Sequence, residues 1–443
     1  MTLVSYSRDD SNGYCHLPFR AGIGILKNLR SLLDGLEQSG LLPVLMVTVC
    51  IQGTVILGQF LVALILSPSE LGVIRSLESA LSVLVLVGSA GTQALSIRDI
   101  AEEQNPRRRM IALRNIYLVV ITGALIVGLT VVGARALMRP SAIVDAVALC
   151  AGMVLLTNML RATTGFAQGA ALVQHCYRRL MVLSGVSIVL QISLAGARGI
   201  PGWIAARYLG EAVTLIGLLI VLRRATPPVP WRAPLEWVEL MRSVRHGSAV
   251  NLALVLRLLA DSLPVLALTA FKVPTDRIGV FGLAMLALTS VTLPLAVLVQ
   301  RALPKMVSAL SRKGAMEAQM SELVRMTLLT GVVGAAALCA VSMIAYWLIG
   351  GAYSSAFLFA AVLSWILPIK ALALAYGTRL MVVRRYGASV WINLAEVALG
   401  GGVCFLGIPA WGAQGAAVAV ALGTVWSAAA LCAVSCRMKR WSL

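Results

Sequence analysis

Long apolar runs separated by short polar or basic stretches set the rhythm of this chain. A helix rises about 1.5 Å per residue, so about 20 apolar residues cross roughly 30 Å of hydrocarbon. Twelve runs are long enough: 41–66, 71–97, 115–134, 142–169, 180–197, 200–222, 247–271, 278–300, 326–350, 354–378, 388–408 and 412–436. They predict an all-α integral membrane protein of about twelve transmembrane helices. An even number of spans puts both termini on one side. Two shorter stretches have helical periodicity on one face only: Ile23, Leu26, Leu29, Leu33 and Leu36, and Leu235, Val238, Met241 and Val244. Each is expected to form an amphipathic helix on the membrane surface. Pro264, Pro294 and Pro368 interrupt apolar runs, and kinks are expected there.

Composition agrees with lipid as the main solvent. Of 443 residues, 59% are hydrophobic and 12% charged, with a mean hydropathy of +0.89. Soluble domains carry about 25% charged residues. The net charge of +19 would suit a nucleic-acid partner in a soluble protein. Here the cations sit in short connections between spans, so nucleic acid is not expected. With the N-terminus inside, 27 Lys and Arg fall in cytoplasmic segments, including Arg107, Arg108, Arg114, Arg223, Lys305, Arg379 and Arg437. Only 5 fall outside, Arg135, Arg139, Arg198, Lys272 and Arg277, and 5 lie within spans. This asymmetry puts both termini in the cytoplasm. The polar start, with Arg8, Asp9 and Asp10, is not a signal-peptide pattern.

The chain repeats itself. Pro68, Glu70 and Gly72 join the first two spans as Pro274, Asp276 and Gly279 join the seventh and eighth. Gln93 and Gln300 each follow their glycine by 21 residues. Arg161 and Tyr177 match Lys370 and Tyr386 at an offset of 209, and Gly199 and Gly202 match Gly412 and Gly415 at 213. The expected organisation is a cytoplasmic tail with a surface helix (1–40), a six-helix bundle (41–222), a linker with a second surface helix (223–246), another six-helix bundle (247–436) and a tail (437–443). Such repeats are typical of transporters with a site between the halves.

Charges inside spans are costly, about 2.5–3.5 kcal/mol each on insertion scales, and face the bundle interior or water. Here the basic ones are Arg75, Arg161, Arg207, Arg257 and Lys370. They are candidates for a cationic cavity that binds an anionic substrate. The acidic ones, Glu78, Glu211, Asp261 and Glu396, are candidates for a coupling ion. Arg75/Glu78, Arg207/Glu211 and Arg257/Asp261 are spaced to share a helix face, so internal ion pairs are the competing role. Arg161 and Lys370 could instead snorkel to the interface. Gln52, Gln59, Asn158, Gln191, Asn251 and Asn393 could line a cavity or bond between helices.

No phosphate-binding loop of the GxxxxGK[ST] kind, no HExxH and no CxxC occurs, and five cysteines fall in apolar runs. No enzyme activity, metal or cofactor is expected.

The stretch Ser67-Pro68-Ser69-Glu70-Leu71-Gly72-Val73, followed by Gly91-Thr92-Gln93-Ala94-Leu95-Ser96-Ile97-Arg98, resembles the opening of Wzx-type polysaccharide flippases. These belong to the multidrug/oligosaccharidyl-lipid/polysaccharide (MOP) exporter superfamily. Arg257-Leu258-Leu259-Ala260-Asp261, Leu293-Pro294, Gln300-Arg301-Ala302-Leu303-Pro304 and Gly412-Ala413-Gln414-Gly415 continue the resemblance over residues 41–436. Val73 and Val280 depart from it, since the family commonly has an aromatic residue after that glycine. The resemblance implies a MOP/MATE-like pair of six-helix bundles in the bacterial inner membrane. It implies alternating access, driven by an ion gradient, that moves an undecaprenyl-diphosphate-linked oligosaccharide for exopolysaccharide, O-antigen or capsule synthesis. Of the charged residues, Arg257 and Asp261 match the family's polar stretch. The implied partners are that lipid-linked oligosaccharide, the bilayer, and the polysaccharide polymerase and chain-length machinery. The alternatives are a drug/cation antiporter of the same superfamily and a lipid II flippase, which usually has two further helices.

Overall fold

The computed structural model describes residues 57–89, 91, 100, 103, 105–137, 142–170, 172–229, 237–309, 315–349, 351–383 and 385–441. The surface helix expected at 20–39 and most of the first span lie outside these residues; 57–65 is helical. The helices that follow are α1 (Pro68–Ser89), α2 (Pro106–Leu137), α3 (Ala142–Leu149), α4 (Ala151–Gly169), α5 (Val173–Ala225), α6 (Trp237–Ala270), α7 (Thr275–Ala309), α8 (Ala315–Ile349), α9 (Ser354–Ser364), α10 (Leu367–Val382), α11 (Tyr386–Trp411) and α12 (Ala413–Trp441). Among the described residues, 8 helices are long and apolar enough to cross a membrane, and up to 10 if each of two bent pairs is one span. Their large apolar side chains point outward: Trp347 and Leu348 are 79% and 80% exposed. A water-facing surface would not tolerate such a coat, whereas hydrocarbon does.

Two predicted spans are broken rather than straight. The fourth is α3 and α4, bent by 46°, and the tenth is Gly351–Ser364 with Leu367–Val382, bent by 53°. Pro368 lies in the first turn of α10, where its missing N–H costs nothing, so the bend precedes it. Tyr208 donates to the carbonyl of Leu149 at 2.7 Å, satisfying an acceptor at the α3–α4 break. Pro264 and Pro294, by contrast, sit within uninterrupted helices. The surface helix expected over 234–245 runs directly into the seventh span, as one helix from Trp237 to Ala270.

At 53 residues, α5 would stretch about 80 Å if straight, far more than a bilayer. It reverses at Gly199, whose φ of 61° and ψ of −137° are closed to other residues. A Cβ on Gly210 would fall 2.0 Å from the Ser187 hydroxyl, and one on Gly217 would fall 2.4 Å from Leu183. The two arms are therefore the fifth and sixth predicted spans, packed antiparallel. Gly412, between α11 and α12, has nearly the same conformation (φ 56°, ψ −126°). Three residues after each turn, Gly202 and Gly415 meet the backbone of Leu194 and Gly407, again 213 residues apart.

Helix α1 packs against α2, α3 and α4 on one side and against α6 and α7 on the other. Its first turn is a capping box: the Ser67 N–H donates to Glu70 Oε2 at 3.1 Å and the Glu70 N–H donates to Ser67 Oγ at 3.4 Å. One turn later α1 crosses α7. A Cβ on Gly72 would lie 1.8 Å from the Thr275 carbonyl oxygen, and one on Gly279 would lie 2.0 Å from that of Pro68. The matched glycines of the repeat thus meet each other. Along α6, running antiparallel, α1 makes a polar seam: Ser76 to Thr269 at 2.8 Å, Ser82 to Ser262 at 3.3 Å, and Asn251 to the Leu86 carbonyl at 3.1 Å.

Two arginines counted as loop charges are buried. Arg379 pairs with Glu317 and donates to Ser435 at 3.1 Å, and Arg114 donates to Asn115 at 3.0 Å. Because only backbone opposes Gly72, Gly72→Ala should destabilise the protein by about 1–3 kcal/mol, as overpacking does. Gly128→Ala, with open space around its Cβ, should be neutral to slightly stabilising. Thermal unfolding in detergent compares the two; equal midpoints would mean that the crossing is not tight.

Candidate functional site: a charged cavity between α1, α6, α7 and α10

Beyond the Gly72–Gly279 crossing, α1 and α7 enclose a cavity of about 450 Å³ with α6 and α10. Gly282, on α7, makes room for the stem of Arg75: a Cβ there would sit 2.5 Å from Arg75 Cγ. Five charged side chains line the cavity: Arg75, Glu78, Arg257, Asp261 and Lys370. The remaining wall is small hydroxyls and aliphatics, including Ser79, Ser262, Thr289 and Leu295.

The charges are sorted into pairs. Arg75 Nη1 lies 2.6 Å from Glu78 Oε2, the side chains being 10% and 20% exposed. Gln59 completes the group, accepting from Arg75 at 3.3 Å and donating to Glu78 at 3.2 Å. Lys370 donates to Asp261 Oδ1 at 2.8 Å. The expected Arg257/Asp261 pair is thus replaced by one between α6 and α10, and Lys370 faces the cavity instead of snorkelling. Arg257 forms no ion pair or hydrogen bond with the described residues, though it acts electrostatically on Asp261 and Glu396; a Cβ on Gly377 would stand 3.9 Å from its Nη1. The five lining charges sum to one positive, with the Glu396 carboxylate within electrostatic reach of Arg257 behind the wall. Arginine offers planar, bidentate donors to a carboxylate or phosphate.

Glu396 lies beside this group. It shares with Asp261 a small void of about 20 Å³, room for about one water. The remaining candidates sit elsewhere. Arg207 Nε contacts Glu211 Oε1 at 3.0 Å, and Thr157 donates to the other oxygen of Glu211. Arg161, one turn along α4 from Thr157, is within electrostatic reach of both. This second cluster joins α4 to the latter arm of α5. Asn158, Asn251 and Asn393 bond to backbone carbonyls of neighbouring helices, so they tie spans together. Gln191 reaches Ser187 on its own helix, and Gln52 lies outside the described residues.

The serines of α1 form a further polar set. Ser76, Ser79 and Ser82 recur every three residues, a spacing that puts them on one face, towards α6 and the cavity.

Removing one member of a buried ion pair leaves the other uncompensated, at a cost of about 3–5 kcal/mol. Glu78→Ala should lower the unfolding midpoint strongly, Glu78→Gln less, and Arg75→Met/Glu78→Leu should recover most of the loss. A double-mutant cycle by thermal unfolding measures this; an unchanged midpoint for Glu78→Ala would dismiss the pair as a structural element.

No protein-family model matches the sequence, and no curated protein does. Solved structures match in shape over most of the chain. A multidrug-resistance MATE family transporter of the MOP superfamily, in its inward-facing conformation, aligns with a TM-score of 0.71 at 15% identity, covering 88% of this chain and 94% of its own. An outward-facing structure described in the same words gives 0.63 at 15% identity, covering 89% and 94%. A MOP superfamily transporter from Pyrococcus furiosus, whose binding pocket is described as having reverse polarity, gives 0.64 at 14% identity, covering 89% and 94%. The chain is a multi-pass helical protein with the fold of the MATE transporters of the MOP superfamily.

Proposed function

We propose that this protein is a transporter of the MOP kind that works by alternating access, with two six-helix bundles hinged along α1, α6 and α7. The observation that carries the reading is the charged cavity lying on one side of the Gly72–Gly279 crossing. With the basic loops placed in the cytoplasm, the crossing closes the outer end. The described state is then inward-facing, in keeping with the higher TM-score to an inward-facing neighbour. The localisation that follows is a bacterial inner membrane.

Two substrate classes come into question. The solved neighbours favour an antiporter of small organic molecules over a lipid-linked oligosaccharide flippase, because multidrug transporters recur among them. A cavity of about 450 Å³ also lies in the range for a drug-sized ligand. The flippase reading rests on the motif resemblance and on Arg257, whose guanidinium faces the cavity without an ion pair among the described residues and suits a diphosphate better than a cation.

The pair Arg257→Ala and Asp261→Asn separates them. If the substrate is a lipid-linked diphosphate, deleting the gene should trap lipid-linked intermediates on the cytoplasmic leaflet. Arg257→Ala should then abolish rescue while the protein stays in the membrane. If the substrate is a cationic drug, Asp261→Asn should abolish efflux from a pump-deficient strain and Arg257→Ala should leave it intact. Full activity of both variants in both assays would remove the cavity from the transport path.

A further inference from the structure

A second, larger pocket opens at the far end of α6, away from the charged cavity. It measures about 940 Å³ and lies among the α6–α7 connection, the start of α9 and the α11–α12 turn. Lys272 and Arg277 line it with Asp276, flanked by Phe271 and Trp411. Neither cation forms an ion pair with the described residues, and with Asp276 counted the lining carries one positive charge in excess. Trp411 is 61% exposed at the end of a spanning helix, the level at which tryptophan marks the lipid–water boundary.

Lys272 has a conformation that its own side chain does not favour. Its φ is 54°, the one positive value outside glycine among the described residues. The Lys272 N–H donates to the Thr269 carbonyl at 3.0 Å and the Val273 N–H donates to that of Leu268 at 3.0 Å. That bonding is a Schellman cap, where glycine is the usual residue because a Cβ is strained there. The cap needs no side chain at this position, so stability alone would select glycine. Strain of this kind persists where a side chain has a task. Both cations also belong to the few that the loop-charge pattern places on the outer side, where lysine and arginine are scarce.

We propose that this pocket binds a phosphate-ester anion, the headgroup of an anionic phospholipid, with Lys272 and Arg277 on the phosphate and Trp411 at the glycerol and acyl boundary. The site is independent of the transport cavity and of what that cavity carries.

The test uses the purified full chain in neutral detergent. Dioctanoyl phosphatidylglycerol, dioctanoyl phosphatidylcholine and inorganic phosphate are titrated separately, with thermal unfolding and native mass spectrometry as readouts. Phosphatidylglycerol should bind and raise the melting temperature, and phosphatidylcholine should do so far less. Inorganic phosphate acting as strongly as phosphatidylglycerol would name a soluble phosphate as the occupant; no effect of phosphate would name the lipid. Lys272→Gly should raise the melting temperature of the lipid-free protein yet weaken phosphatidylglycerol about tenfold, the scale of one lost charge-assisted hydrogen bond. Lys272→Gln/Arg277→Gln should weaken it further. Phosphatidylglycerol binding unchanged in the double variant, or equal binding of phosphatidylcholine, would overturn the proposal.

Discussion

Lipid supplies no hydrophobic force between helices, so backbones that approach closely must be held by shape. The tightest such approach across the repeat is Gly72 against Thr275 and Gly279 against Pro68. Everything around the cavity depends on it. The crossing sets the separation of α1 and α7 one turn later, where Arg75 and Gly282 face each other. It also fixes the height at which the serines of α1 meet α6. The glycines stand at matched points of the sequence repeat, so the contact joins residues that the repeat makes equivalent.

Electrostatics then decides what the space beyond the crossing can hold. A lone charge in a low-dielectric interior is expensive, and most of the buried charges are paired at 2.6–3.0 Å. Two of these pairs answer to different neighbours. Arg75 and Glu78 share one helix and a glutamine, which makes them a fixed part of the wall. Asp261 and Lys370 come from helices 109 residues apart, and Asp261 is 45% exposed. That pair bridges two helices distant in sequence, beside Arg257. The wall of the cavity thus combines a pair within one helix with a pair that joins two helices.

The sequence made the spans legible because membrane thickness demands a minimum apolar length, and that demand leaves a plain pattern. The repeat was legible through glycines, since Gly199 and Gly412 hold a conformation that other residues avoid. Breaks inside spans were not: of three prolines, one lies next to a bend and two lie in uninterrupted helices, while the bend at Cys150 has no proline at all. The candidate charges were visible as violations of apolarity, but their grouping was not. Spacing along one helix correctly paired Arg75 with Glu78 and Arg207 with Glu211. It missed Lys370 as the partner of Asp261, because that contact is set by the packing of distant helices. Arg114 and Arg379 read as loop charges for the same reason: their positions near helix ends do not disclose the neighbours that bury them.

The reversal at Gly199 bears on how the chain enters the membrane. Arg198, Gly199 and the first turn carrying Pro201 are the whole connection between two spans, and the helical arms continue on either side of a single glycine. Such a connection is too short to cross the bilayer as a separate hydrophilic passenger. If the turn lies on the outer side, as the loop-charge pattern expects, the two arms enter as a hairpin with Arg198 at its tip. Gly412 imposes the same condition on α11 and α12, without a neighbouring charge at the tip. Biogenesis of this protein is therefore a matter of pairs of helices rather than single ones at both of these turns.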